Sequence, residues 1–296
     1  MIGTGASPGS LLNPLFRTLL RIVALGAAAC VAPGGPALAM PRDARVPGGI
    51  AILRVPAGEA PAGTPPQVSF QGTRVMVVPR PDGWLALVGL PLALKPGTYE
   101  IEVSGAPATE RSFTVADKAY PEQRLTIKDK RKVTPPPEDL DRIERERRVV
   151  EQVKQRFRDE PGVDLDFRAP ADGPLSSRFG LRRVFNGEPR NPHSGLDLAV
   201  AAGSPVFAAA SGVVAETGDF FFNGHTVFVD HGQGLITMYC HLERIDVRRG
   251  EAVAKGQRLG LSGLSGRATG PHLHWSVILN RTTVDPELFL GEGRPR

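Results

Sequence analysis

Three short motifs in this chain hold side chains suited to metal and proton chemistry. They are His193-Ser-Gly-Leu-Asp197, Tyr239-Cys-His241-Leu242 and His272-Leu-His274, and together they contain four of the six histidines. In a strand, residues i and i+2 share a face. Thr269-Gly-Pro271 is a turn signal and Trp275 to Leu279 is β-like, so His272 and His274 are predicted to project together, with Leu273 and Trp275 on the opposite side. Two imidazoles on one strand face can serve as one metal ligand and one acid/base group. Pro192 and Gly195 argue against a helix interior, which puts His193 and Asp197 on a loop entering a strand. Zinc accepts imidazole nitrogen and carboxylate oxygen, and its catalytic sites keep three protein ligands and one open position. His193, Asp197 and His274 make that count, leaving His241 and His272 to move protons. A single histidine is ordinarily a hydrogen-bonded core residue; four polar rings gathered in this way argue for a task.

The order His-x3-Asp, Tyr-x-His-Leu, Gly-Pro-His-Leu-His resembles the lysostaphin/LytM-type zinc metallopeptidases, which are cell-wall endopeptidases. Flanking segments agree: Ser177-Arg-Phe-Gly180, Arg190-Asn-Pro-His-Ser-Gly195, Val229-Asp-His-Gly232 and Val284-Asp-Pro286. The resemblance covers about residues 170–290. It implies Zn2+ held by His193, Asp197 and His274, catalytic His241 and His272, and an antiparallel β-sheet groove with the metal on its floor. It implies peptidoglycan stem peptides as substrate, with D-alanyl–diaminopimelate cross-links favoured and glycine bridges the alternative. A rival from another class is a non-catalytic envelope protein that activates a wall amidase, as some relatives that have lost their ligands do; the intact ligand set here favours an enzyme.

The elements that must position these residues read as mainly β. From Pro170 onward, strands are predicted at Ser204–Ala208, Gly212–Ala215, His225–Asp230, Leu235–His241, Arg258–Ser262 and Leu273–Leu279, within a metallopeptidase domain spanning 165–292. Residues 44–116 read as a small immunoglobulin-like β-sandwich. Its predicted strands are Val46–Leu53, Arg74–Val78, Trp84–Val88, Tyr99–Val103 and Ser112–Val115. Residues 117–160 form a linker: an extended piece near Glu122–Lys128, a basic run from Lys128 to Lys132, then a charged helix from Glu138 to about Phe157. Its thin apolar stripe is Leu140, Ile143, Val150, Val153 and Phe157. A docked linker helix is the plainer expectation, and a clamp across the catalytic groove the sharper one. An echo of carrier domains around Lys255 fails, because that lysine lacks a hairpin tip between apolar neighbours.

Residues 1–39 read as an export signal: Arg17 and Arg21 precede an apolar run from Ile22 to Ala29, and Ala37-Leu-Ala39 fits a small-x-small cleavage site. An uncleaved anchor and lipidation at Cys30 are the alternatives, the only routes to a membrane. The expected location is the periplasm or cell envelope, where a regulatory protein is a conceivable partner. Cys240 has no cysteine partner after export and reads as a small buried hydrophobe. The net charge of +5 is mild, and no motif interleaves basic and aromatic residues, so nucleic acid is not an expected partner. His225 and His231 are expected in surface or structural roles, and Phe220 to Phe222 either as a groove wall or as packing.

Overall fold

The computed structural model describes residues 40–55, 64–104 and 112–291. The predicted signal, with Cys30 and the Ala37-Leu-Ala39 site, lies outside them. No helix among the described residues is long and apolar enough to cross a membrane.

The described residues share one fold unit. Its centre is a ten-stranded sheet ordered 175–177, 196–198, 273–279, 235–245, 224–232, 212–220, 252–253, with 205–207, 258–262 and 282–284 branching from it. Every pairing within it is antiparallel. The central strand Leu235–Ile245 is buried along its first eight residues, because both of its faces are covered. Leu235 and Tyr239 pack on one side with Val227, Val229, Trp275 and Val277. Ile236, Met238 and Cys240 pack on the other with Phe228 and Ile278. Burying one such side chain is worth roughly 1.5–3 kcal/mol, so this near-continuous apolar run fixes the strand at the middle of the sheet.

The predicted helix is Pro137–Lys154. Pro137 occupies its first turn, where a missing N–H costs nothing, and Glu138 and Asp139 favour that end electrostatically. The helix docks on the sheet: Val149, Val150 and Val153 join Ala215, Phe220, Ile236 and Ile278. The expected stripe needs two corrections. The helix ends at Lys154, so Phe157 lies beyond it, and Leu140 is 52% exposed, because the apolar contact with the sheet is made by Val149, Val150 and Val153 in the later turns. The extended piece before it, Glu122–Leu125, pairs in parallel with Arg182–Phe185. Asn186 fastens the same segment, accepting from Ile127 N (2.8 Å) and donating to Ile127 O (3.0 Å).

Near the N-terminus, Ile50–Val55, Gly83–Gly89 and Met76–Arg80 form a three-stranded antiparallel sheet. Facing it are Val68–Phe70 with Thr73–Arg74 and Glu102–Val103, and the pair Gly97–Glu100 with Ser112–Val115. The strand Val68–Phe70 was absent from the sequence expectation, and Tyr99–Val103 divides at Ile101 between two sheets. Ala51, Val55, Val77, Ala86 and Val88 meet Phe70, Ile101, Phe113 and Val115 inside this module. The alternate residues Ile50, Met76, Val78 and Leu87 point the other way, into the core of the larger sheet. Two buried bonds cross that junction: Val77 N donates to Gln233 Oε1 (3.0 Å) and Gly89 N to Asn280 Oδ1 (3.1 Å). A side chain at residue 89 would stand 2.5 Å from Leu279 O, so glycine is what lets the two backbones meet.

Candidate active site

All five predicted side chains line one groove, a cavity of about 290 Å³. Its floor is sheet. Asp197 lies opposite His274, and His274 opposite Cys240, on three adjacent strands. Ser177 pairs with Asp197 from the next strand outward. The Gly in His193-Ser-Gly-Leu-Asp197 has a steric reason. A Cβ at Gly195 would lie 2.3 Å from Trp275 O and 2.8 Å from His274 Nε2.

Three ligand atoms converge. His193 Nε2 is 3.0 Å from Asp197 Oδ1 and 3.0 Å from His274 Nδ1, and His274 Nδ1 is 2.8 Å from the same Oδ1. The partners of the other ring nitrogens constrain the tautomers. His193 Nδ1 faces Arg178 O at 2.7 Å, so it carries the proton and donates. Its Nε2 therefore turns a lone pair toward a carboxylate oxygen. Two acceptors at that distance need a proton or a metal ion between them, and a third candidate donor atom stands beside both. Zinc ligands at roughly 2.1 Å in tetrahedral array stand about 3.4 Å apart, so a small opening of this cluster accommodates the ion. The residues present fit zinc.

The cluster is buried, and its electrostatics follow from that. Burial alone would raise the Asp197 carboxyl, yet the bonds to His193 and His274 hold it well below the usual carboxylate range. Burial pushes the His274 imidazolium down, against the pull of Asp197. Behind the ligands stand residues the motifs did not announce. Arg183 donates to Asp197 Oδ2 and to Ser177 Oγ, both at 3.1 Å. Ser276 Oγ lies 2.9 Å from His274 Nε2. Arg183 sits in no metal-like spacing; the only available signal was its place beside Val184 and Phe185, both buried.

The remaining two imidazoles face the groove next to the cluster. Their rings are 4.7 Å apart. His241 Nδ1 donates to Ser265 O (2.8 Å) and His272 Nδ1 to Gly270 O (2.8 Å). With Nδ1 so engaged, Nε2 is the nitrogen each ring turns to the groove, and that of His272 is 3.9 Å from Asp197 Oδ1. Burial, then the nearby His272 and His274, push His241 down to about 3, so it is neutral at pH 7. His241 has φ +63°, a left-handed conformation unusual for a side chain of this size. The pairing shifts by one residue there, from His225 with Leu242 to Val227 with Tyr239. This bulge turns His241 into the groove and returns Leu242 to the core.

The walls come from further afield. Phe222 and Asn223 form one side, whereas Phe220 and Phe221 are buried, so the triple-phenylalanine segment divides between the two expected roles. Leu125 and Ile127 of the supposed linker form another side, and no residue of the helix lines the groove. The helix instead braces it from behind through Glu146, whose Oε2 accepts from Phe221 N (2.6 Å); Lys132, in the turn ahead of the helix, donates from Nζ to Phe221 O (2.7 Å). Cys240 is buried, free, and raised to about 12 by burial, as a small hydrophobe rather than a nucleophile. His231 is structural: Nδ1 donates to Ser211 O and Nε2 meets Thr237 Oγ1, both at 2.8 Å. His225 also lies outside the groove lining.

Comparison with known proteins places this geometry. Residues 191–286 match the model of peptidase family M23, and residues 43–118 match that of the peptidase family M23 N-terminal domain. The peptidoglycan DD-endopeptidase ShyA of Vibrio cholerae is 41% identical over 121 residues, 40% of this chain and 28% of ShyA. The DD-carboxypeptidase/endopeptidase Mpg of Neisseria meningitidis is 37% identical over 112 residues, 38% of this chain and 26% of Mpg. The chain therefore matches less than a third of the length of these curated relatives. A crystal structure assigned to peptidase M23 from Pseudomonas aeruginosa aligns far more completely, with a TM-score of 0.69, 44% identity, and coverage of 84% of this chain and 96% of that one. With likeness at that level running through both the β module and the groove, this chain belongs to peptidase family M23.

Proposed function

We propose that this protein is a zinc endopeptidase that hydrolyses peptide cross-links of bacterial peptidoglycan in the periplasm or cell envelope. The observation that carries the reading is the joint one: a His193–Asp197–His274 cluster that needs a cation, beside two imidazoles with free Nε2 atoms. His193, Asp197 and His274 would hold the metal. When bound, zinc supplies Lewis-acid polarisation of a carbonyl and makes a water more acidic. His241 and His272 do the proton work. An Nε2 takes a proton from the water that attacks the scissile carbonyl carbon. As the C–N bond breaks, that proton goes to the departing amine nitrogen, and the second proton of the water follows it, leaving a carboxylate and an ammonium group. The carbonyl hydrogen bonds at each Nδ1 hold both rings in the tautomer this requires. The named activity of ShyA supports the substrate class. The complete ligand set speaks against the amidase-activator reading.

The test is zinc content and conversion of cross-linked muropeptide dimers to monomers, measured together. His274→Ala is expected to lose both metal and turnover. His272→Ala is expected to keep the metal and lose turnover by about 10²–10⁴-fold, the usual contribution of a positioned acid/base group. Near-native turnover in His272→Ala would remove the catalytic role assigned to that ring.

A further inference from the structure

One groove residue has no task in the peptide-bond chemistry. Arg267 lines the cavity beside His272 and His274. Its guanidinium lies 4.5 Å from the Phe222 ring centroid and 5.0 Å from that of Phe185. It spends one donor on Lys132 O (3.4 Å) and has no acidic partner among the described residues. Two more guanidiniums stand near it. Arg183 is occupied by Asp197. Arg190 donates only to the carbonyls of Pro189 and Val133, and its buried Nε has no partner. Burial, then Arg190 and Arg183, lower Arg267 to about 10, so it stays charged at neutral pH. Asp197 is the sole acid among the residues that line this groove. The wall therefore carries cation in excess, and aromatic contacts hold the Arg267 fork without consuming its donors.

A planar fork with unspent N–H groups matches a carboxylate. Arg267 lines the same cavity as the His193–Asp197–His274 cluster, His241 and His272, so a carboxylate bound to it belongs to a residue flanking the scissile bond. In a D-alanyl–diaminopimelate cross-link, the carbon bearing the departing amine nitrogen also bears a free carboxylate. A glycine bridge has none there. We propose that Arg267, with Arg190 behind it, binds this carboxylate and makes the groove selective for cross-links with an acidic acceptor residue. The inference rests on the endopeptidase reading and narrows its substrate.

The experiment uses the full chain, zinc-loaded, and two synthetic cross-linked dimers that differ only in carrying carboxylate or carboxamide at that carbon. Binding is read separately by calorimetry with the two matching amine products, which cannot turn over. The acid forms should be preferred by about tenfold or more in both kcat/KM and binding, the scale of a charge-assisted pair. Arg267→Gln should erase the preference while zinc content and Tm hold, and Arg267→Lys should restore part of it. Equal binding of the acid and amide products overturns the proposal, whatever the turnover. So does an Arg267→Gln loss that is the same for both substrates, which would mark a packing role. If acid-selective binding depends on Arg267 but neither dimer is cut, the specificity stands and the endopeptidase reading falls. If both dimers are cut equally, the reverse holds.

Discussion

His241 combines its proposed role in proton transfer with an unfavourable backbone. A side chain at φ +63° costs on the order of 1–2 kcal/mol relative to glycine. His241→Gly should therefore melt higher than His241→Ala, by about 1 kcal/mol, while both lack activity; equal melting would mean the bulge is unstrained. Arg183 illustrates the opposite case, a residue that acts through another. Its bond to Asp197 Oδ2 fixes the carboxylate that the metal would share. Arg183→Gln should weaken zinc affinity about 10–100-fold, read by competition with a chelator. His231 gives a pH signature away from the groove. Burial lowers it to about 4 from an ordinary 6.5, so the unfolded chain binds its proton first as pH falls. Stability is thus full above about pH 6.5 and declines down to about pH 4, by at most about 1.4 kcal/mol per pH unit. His231→Gln should be less stable at pH 8 yet show a shallower decline over that window in denaturant titrations. The histidines proposed as ligands and proton carriers were legible as a cluster because their spacing is short and periodic. Arg183, Arg190 and Arg267 were not, because arginines are common on surfaces and only the fold shows which of them gather at the site and which of those lack an acid, as Arg190 and Arg267 do but Arg183 does not.

At the scale of elements, the strands that carry the site were legible, since their apolar runs are long and their glycine turns clear. Leu235–Ile245 and Leu273–Leu279 are examples, although the first runs four residues beyond its predicted end because the bulge at His241 lets it turn and pair again with Arg258–Ser262. The segment from residue 117 to 136 was the least legible. Its charge and prolines read as linker, yet Glu122–Leu125 enters a sheet and Leu125 and Ile127 wall the groove. An extended piece near Glu122–Lys128 was expected, but nothing in the sequence names its partner some sixty positions away. Asn186 is the clasp that makes the piece part of the groove. Asn186→Ala removes both bonds to Ile127, and its φ of +53° favours asparagine there. It should raise KM for peptide substrates more than it lowers kcat, with zinc content unchanged.

Across the whole molecule, the two M23 segments are separate in sequence and joined in energy. Val77 N and Gly89 N have their acceptors in Gln233 and Asn280, on turns of the larger sheet. Removing either acceptor leaves a buried donor without a partner, a loss of about 1–3 kcal/mol. Gln233→Ala and Asn280→Ala should each lower Tm while keeping a single unfolding transition by calorimetry; two resolved transitions would show that the halves melt independently. The sequence did not disclose this junction, because strands such as Arg74–Val78 and Trp84–Val88 are apolar on both faces and do not show that Ile50, Met76, Val78 and Leu87 face the neighbouring sheet. The same party wall limits how such a protein can be rearranged over evolution. A recombination that transplants the hydrolytic half into a new gene uncovers a greasy surface on both fragments at once. Descendants that travel without the first half must have repainted that surface with polar residues, and those that keep both must change them in step.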